Sequence, residues 1–257
     1  MRILLDIKKN IEQNASVYFE KAKKAKGKIE GIKKTIARYK TQLEKVKQEK
    51  VKIEETQKEE KIKRKPEWFE KFRWFISSEG FLVIGGRDAT SNELVIKKHT
   101  EKNDLVFHTD MAGSPFFVVK IKDKKPTEKT IKEVADATVT YAKAWKLGMQ
   151  TTPVFWVKPD QVSKEANPGE YLTKGAFMIR GKTNYVDNNT NISVGITKKG
   201  AVMGGPLEAV KKNCEKFVIL EQGKEKTAAV AKKIKAKIGG DLDEIIRAIP
   251  AGGCKIK

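Results

Sequence analysis

The sequence predicts an α+β fold: a long N-terminal coiled-coil helical arm over residues 1–65, then a mixed, mostly antiparallel sheet domain with flanking helices over residues 66–257. Three observations carry this. From Asn10 to Lys65 there is no proline and almost no aromatic residue, and that texture ends at Pro66. Apolar residues before this point recur by threes and fours. After it they fall in short runs bounded by glycine and proline, as strands and turns require. With 257 residues and 39% apolar content, the chain is large enough for one sizeable domain plus an extended element.

In the arm, Ala22, Ala25, Ile29, Ile32, Ile36, Tyr39, Leu43, Val46 and Ile53 form a heptad seam, with Lys50 filling one position. Lys, Glu and Gln flank it, so the helix has a single apolar stripe that must lie against a partner helix. Upstream, Leu4, Ile7, Ile11 and Tyr18 keep the same spacing one residue out of phase, with Asn14 on their row. A skip or bend is therefore expected between Tyr18 and Ala22. Gly27 and Gly31 each weaken the helix by up to ~1 kcal/mol relative to alanine and mark a close approach or a hinge. The coiled-coil partner is a second copy of the chain, an upstream helix in a hairpin, or a missing N-terminal region. Only about twenty residues precede the seam, too few to cover it in antiparallel fashion, which favours the homodimer.

In the domain, Phe81–Ile84, Glu93–Ile96, Leu105–Phe107 and Phe116–Ile121 read as a meander of strands, followed by Val154–Val157, Phe177–Arg180, Ile192–Ile196 and Phe217–Leu220. The strands at Phe81, Phe116, Phe155 and Phe177 are expected in one sheet. A helix starts after Pro126 with Thr127 as N-cap, carries Ile131, Val134, Ala135, Thr138, Ala142 and Trp145 on one face, and ends at Gly148. Two more helices close the chain, Lys224–Ile238 and Asp241–Ile249; in the second, Asp241 and Glu244 have capping-box spacing. Trp145 and Trp156 are expected in the core, and Trp68 and Trp74 at the junction with the arm.

The formal charge of +21 is far beyond what solubility calls for and implies a polyanionic partner, nucleic acid first. No apolar stretch approaches the ~20 residues that span a bilayer, and Asp6 interrupts the N-terminal apolar run, so no membrane partner and a cytoplasmic location are expected. Cys214 and Cys254 lack CxxC partners and read as ordinary thiols. The histidines are His99 and His108. His108-Thr109-Asp110 could suggest metal or acid–base chemistry, but a hydrogen-bonded histidine or a phosphate contact is the commoner use of such a pattern. Gly85-Gly86-Arg87-Asp88-Ala89-Thr90 lacks both the ending of a P-loop and GxGxxG spacing, so it reads as a turn. No serine-nucleophile motif is present. A binding protein with no catalytic residues, no metal and no cofactor is therefore expected, rather than an enzyme.

The candidate RNA-binding residues are Arg73, Arg87, Lys97, Lys98, His108, Lys158, Lys164, Arg180 and Lys182. The three arginines carry most weight, because lysine is abundant here and a guanidinium pairs bidentately with phosphate. An RNA binder should gather Arg87, Lys158, Lys164, Arg180 and Lys182 on one face. A coiled-coil interaction scaffold with a generic basic surface, the competing reading, should scatter them.

Several motifs resemble one family. They are Trp68-Phe69-Glu70-Lys71-Phe72-Arg73-Trp74-Phe75-Ile76-Ser77-Ser78, Gly85-Gly86-Arg87-Asp88-Ala89, Glu93 with Lys97, and His108-Thr109-Asp110 with Gly113. Further on come Tyr141, Ala144-Trp145, Trp156-Val157-Lys158-Pro159, Val162-Ser163-Lys164, Pro168-Gly169-Glu170-Tyr171-Leu172 and Gly175-Ala176-Phe177-Met178-Ile179-Arg180-Gly181-Lys182. This order is similar to the NFACT-R domain of the NEMF/FbpA family, preceded by that family's coiled-coil arm, with an archaeal-like character. The resemblance implies an RNA-binding module whose partner is ribosomal RNA or tRNA on the large ribosomal subunit. Full-length members recognise a large subunit carrying a stalled peptidyl-tRNA and support C-terminal tailing of the nascent chain or recruit a ubiquitin ligase. The family's NFACT-N and helix-hairpin-helix regions have no counterpart here, so the chain resembles the C-terminal portion of such a protein or a shorter relative. RNA and ribosome binding carry over more directly than tailing.

Overall fold

The computed structural model describes residues 3–8, 10–60, 65–166, 169 and 171–257, and divides into two units, 1–63 and 64–257. In the first unit, Asn10 and Gln13 bond reciprocally: the Gln13 N–H donates to Asn10 Oδ1 at 2.8 Å and the Asn10 N–H to Gln13 Oε1 at 3.2 Å. These bonds satisfy two helix-start donors and open α1, which runs unbroken over Ile11–Glu60 for 50 residues.

Residues 3–8 are not helical and fold back along the first turns of α1. The Asp6 N–H donates to Asn14 Oδ1 at 2.8 Å, Asn14 Nδ2 donates to the Asp6 carbonyl at 3.0 Å, and the Tyr18 hydroxyl donates to the Leu4 carbonyl at 2.6 Å. This corrects the helical reading of Leu4 and Ile7 and the expected bend near Tyr18. The buried Asn14 amide matches both backbone groups of Asp6, and the helix continues beneath the hook. Seam residues Ile29, Ile32, Ile36, Tyr39, Leu43 and Val46 are 49–62% exposed; the side chains of Lys50 and Ile53 lie outside those described. A Cβ at Gly27 or Gly31 would meet nothing within 4 Å. The junction at 61–64, and Pro168 and Glu170 of the quoted motif, also lie outside the described residues.

The second unit opens with a 3-10 turn at Trp68–Lys71. Its strands are β1 (Arg73–Ile76), β2 (Leu82–Gly85), β3 (Leu105–Thr109), β4 (Phe117–Val119), β5 (Val154–Val157), β6 (Val162–Ser163), β7 (Met178–Ile179), β8 (Asn184–Val186), β9 (Ile192–Thr197), β10 (Val202–Gly205), β11 (Cys214–Glu225) and β12 (Cys254–Ile256). Between them lie α2 (Ala89–His99), α3 (Glu128–Tyr141), α4 (Lys143–Lys146), α5 (Leu207–Asn213), α6 (Thr227–Ile238) and α7 (Leu242–Ala248). One sheet has the order β1-β2-β4-β3-β5-β8, a second β10-β9-β11-β12, and β6-β7 form a separate ribbon. Every pairing among the described residues is antiparallel.

The six-stranded sheet is covered on both faces. Phe117 and Val119 of β4 join Phe75, Phe107 and the apolar face of α3 in one core, which continues through Val194, Met203, Ile234 and Ile245 into the second sheet and its helices. Phe116 and Val118 point the other way, into a smaller core with Ile84, Val95, Val106 and Phe155. This period-two alternation within a continuous apolar run is what double-sided burial produces. Fully burying a phenylalanine such as Phe107 contributes roughly 1.5–3 kcal/mol.

Three expectations are corrected. Glu93–Ile96 is not a strand but part of α2, because Asp88 Oδ1 accepts from the Ser91 N–H at 2.8 Å while Ser91 Oγ accepts from the Asp88 N–H at 2.9 Å. That reciprocal cap starts a helix that runs through the run. Phe177 does not lead a strand of the main sheet: Met178–Ile179 pairs only with β6, and Asn184–Val186 takes the sheet edge. The helix expected to reach Gly148 breaks at Ala142, whose ψ of 170° is extended. Each side of the break is anchored, the Tyr141 hydroxyl donating to the Ala248 carbonyl at 2.6 Å and Trp145 Nε1 to the Gly253 carbonyl at 3.1 Å. Thr127 and Asp241 do cap α3 and α7 through their side chains. Among the described residues no helix is long and apolar enough to cross a membrane.

Candidate nucleic-acid interface

The break at Ala142, the turn between β2 and α2, the turn between β3 and β4, and the loop at 173–177 surround a cleft of about 590 Å³. Its lining carries Arg73, Arg87, Lys143, Lys146 and Lys174 against a single carboxylate, Asp88. Asp88 is committed to capping α2, and the Ser91 backbone bond holds its carboxyl below the usual range. The lining also has apolar surface, from Ala112, Pro115, Phe177 and Ile179.

The turn that presents Arg87 depends on Gly86. A Cβ there would sit 1.7 Å from Asn92 Oδ1, which accepts the Phe116 N–H at 3.2 Å and ties α2 to β4. Arg87 is exposed; its backbone N–H donates to Ser91 Oγ at 2.7 Å, while its guanidinium makes no hydrogen bond or ion pair with another described residue. Arg73, at the start of β1, is half-buried: its guanidinium lies 4.2 Å from the Tyr141 ring centre and its Nη1 donates to the Arg247 and Ile249 carbonyls at 3.4 and 3.5 Å. Burial lowers the pKa of Arg73, the Tyr141 ring opposing and Arg87 adding to it. Burial also lowers that of Arg87, and Arg247 adds to it. Three of the four arginines between residues 65 and 257 thus lie within electrostatic reach of one another; Arg73 and Arg87 line the cleft, and Arg247 lines the adjoining recess with Glu67, Glu70 and Glu244. Such a concentration of one sign, backed by low-dielectric walls, focuses the field on an incoming anion.

Flexible lysines complete the site. Lys143, Lys146 and Lys174 are exposed and have no ion pair among the described residues. The 173–176 loop is fastened by Lys164, whose ammonium pairs with Glu93 at 2.9 Å and donates to the Thr173 and Ala176 carbonyls at 2.9 and 2.8 Å. Gly175, at φ +81°, packs against the backbone of Ala89 so closely that a Cβ would lie 2.6 Å from Ala89 Cα. Lys164 holds the Glu93 carboxyl down at about 2, the Gly175 N–H helping.

Of the sequence-predicted residues, the structure brings Arg73, Arg87 and His108 into this lining. His108 stacks on Phe116 with ring centres 4.1 Å apart, and burial pushes its pKa down, so it is a neutral ring of the cleft wall near pH 7. Lys164 is spent on the loop rather than offered to a ligand. Lys158, Arg180 and Lys182 form a second group around Gln161, which accepts the Lys158 N–H at 3.0 Å and donates to the Arg180 and Lys182 carbonyls, both at 2.9 Å. Arg180 also donates to the Glu165 carbonyl at 3.2 Å. Lys97 pairs with Glu93 at 3.5 Å, and Lys98 lies exposed on the last turn of α2. Arg247, Lys143 and Lys146 were not among the candidates. Lys143 and Lys146 follow the Tyr141-Ala142 break that brings them to the cleft, and no local pattern announces it. Among the described residues no group of three His, Cys, Asp or Glu side chains could hold a metal ion.

The NFACT protein RNA binding domain matches residues 71–181, the span from the end of the 3-10 turn through the ribbon. The archaeal Rqc2 homolog aRqcH of Methanocaldococcus jannaschii is 41% identical over 207 residues, covering 78% of this chain and 31% of that protein. The ribosome quality control complex subunit NEMF homolog of Drosophila melanogaster is 44% identical over 128 residues, 48% of this chain and 12% of the relative. Human ribosome quality control complex subunit NEMF is 38% identical over 178 residues, 67% and 16% of the two chains. The chain therefore spans less than a third of the length of these relatives. Residues 71–181 are an NFACT-R RNA-binding domain, and the chain belongs to the NEMF family of ribosome quality control proteins, in its archaeal-like form.

Proposed function

We propose that this chain is the RNA-binding module of a ribosome quality control factor, that it acts in the cytoplasm on RNA of the large ribosomal subunit or its tRNA, and that it binds rather than catalyses. The observation that carries the reading is the gathering of Arg73 and Arg87 with Lys143, Lys146 and Lys174 at one cleft that holds a single, already committed carboxylate. Phosphate is the anion that this arrangement of guanidinium and ammonium groups suits. The names of the relatives support the ribosomal setting. Recognition of a large subunit with a stalled peptidyl-tRNA, and support of C-terminal tailing, are the finer roles we assign to the longer assembly in which such a module works. The exposed seam of α1 gives the arm a separate task, docking a helical partner.

Binding of the chain to a transfer RNA or a large-subunit RNA fragment, followed by fluorescence anisotropy across salt, tests the reading. If five phosphates are neutralised, the slope of log K against log salt is about −3.5 for single strands, an affinity loss of about a hundredfold between ~50 and ~200 mM. Sequence preference should be slight. Salt-insensitive binding, or none, would overturn it.

A further inference from the structure

We infer that the cleft is a site for unpaired RNA: it takes one nucleotide of a single strand, phosphate toward Arg73 and Arg87 and base against the apolar residues of the lining, and it discriminates against duplex. The inference rests on the RNA-binding reading and adds the form of RNA that this site accepts.

Three features lead to it. The first is concavity. At about 590 Å³ the cleft falls in the size range of small-ligand sites, and its innermost cation, Arg73, is half-buried and fixed by Tyr141 and two backbone carbonyls. A regular duplex carries its phosphates on a continuous convex surface, and its bases are stacked and paired inside. It can touch the rim lysines, but it cannot lower a phosphate to the depth of Arg73 without local melting. A single strand turns its backbone inward at little cost.

The second is division of the lining by polarity. Four of the five cations lie on β1, the β2–α2 turn and the Ala142 break, whereas Ala112, Pro115, Phe177 and Ile179 give the lining apolar surface to which a phosphate brings nothing, with Lys174 on the same loop as Phe177. A nucleotide has this same division, an anionic phosphate joined to a flat, largely apolar base. In a duplex the base is already occupied by its neighbours and its pair, so only an unpaired nucleotide can use both kinds of surface.

The third is preorganisation. Lys164 and Glu93 fasten the loop that carries Lys174 and Phe177, and Gly86 and Asn92 fix the turn that carries Arg87. The side chains that would meet the ligand stand on anchored backbone, while Arg87, Lys143 and Lys174 remain exposed and unpaired among the described residues. A site with its backbone fixed and its cations free loses little entropy on binding.

The test compares two RNAs with the full chain: a labelled single strand of about ten nucleotides, within the usual footprint of single-strand binders, and the same strand annealed to its complement. Anisotropy titrations are run on the natural chain, on Arg87→Ala/Lys174→Ala, and on Lys98→Ala/Lys182→Ala, which removes the same charge from exposed positions outside the cleft. We expect the natural chain to prefer the single strand by about tenfold or more, the cleft variant to lose that preference, and the lysine variant to keep it while both affinities fall modestly. Equal affinity for the two RNAs in the natural chain would overturn the inference and leave the RNA-binding reading standing. Loss of the preference in the lysine variant would place discrimination outside the cleft and also overturn it. Failure to bind either RNA would overturn both.

Discussion

The guanidinium of Arg73 rests 4.2 Å from the centre of the Tyr141 ring, and the hydroxyl of that ring donates to the Ala248 carbonyl at 2.6 Å. Tyr141 is the last residue of α3, Arg73 the first of β1, and Ala248 the last of α7. One buried phenol therefore joins three elements and sets the height of the innermost cation in the cleft. Burial pushes the Tyr141 pKa up to about 12, against the pull of Arg73, so the hydroxyl stays a neutral donor.

Removing that hydroxyl should cost stability without removing charge. Tyr141→Phe keeps the ring beneath Arg73 but leaves the Ala248 carbonyl without this donor, and is expected to destabilise the protein by about 1–2 kcal/mol. Urea unfolding measures it. An unchanged midpoint would mean that water replaces the bond freely.

Arg87 and Lys164 should separate binding from stability. Arg87 is exposed and unpaired, so Arg87→Ala should weaken RNA binding roughly tenfold or more, the loss of a charged hydrogen bond, and shift stability by no more than ~0.5 kcal/mol. Lys164→Ala removes the donor to two loop carbonyls and should destabilise by about 1–3 kcal/mol. It should also return the Glu93 titration from about 2 toward 4.5, read by NMR. Above pH 4.5 the ionised Glu93 contributes stability, which is lost as pH falls toward 2.

Glu133 titrates in the opposite sense. It is 5% exposed, its Oε2 accepts the Ser78 N–H at 2.9 Å, and burial raises its pKa above the usual 4.5. A carboxyl with a raised folded pKa favours folding while protonated, and that contribution is lost as pH rises through the folded value. Glu133→Gln should therefore raise the melting temperature at pH 7, with the gain shrinking toward zero below pH 4.5. A gain that does not vary with pH would show that packing, not charge, is responsible.

The arm should pair through its seam. Residues 3–8 reach only as far as Tyr18, so Ile29, Ile36 and Leu43 stay open to solvent in one chain. Sedimentation equilibrium at micromolar concentration should show a dimer, and Ile36→Asp with Leu43→Asp should return it to a monomer. A strictly monomeric natural chain would contradict this.

The parts legible in the sequence are those whose cause is local. Thr127 caps α3 and Asp241 caps α7 because cap and helix are neighbours in the chain. The box of Asp88 and Ser91 was equally local; it outweighs the strand-like texture of Glu93–Ile96. Asn14 illustrates the limit, since a period of three and four does not tell a seam polar residue from one that binds the backbone of Asp6. Arg73 and Arg87 stand out by residue type. Arg247 does not, because its relation to Arg73 spans 174 positions and arises only when α7 packs beside β1 and α3. Lys164 stands out as a cation but is used internally, a difference that depends on Glu93 and the 173–176 loop reaching it.

Co-sedimentation with ribosomes tests the central claim most directly. The natural chain should travel with large-subunit fractions of a sucrose gradient at low salt and return to the top at high salt. Arg87→Glu/Lys174→Glu, which reverses the cleft's charge at two exposed positions, should remain at the top at both. If that variant sediments with the large subunit as fully as the natural chain, the cleft is not the RNA-binding site.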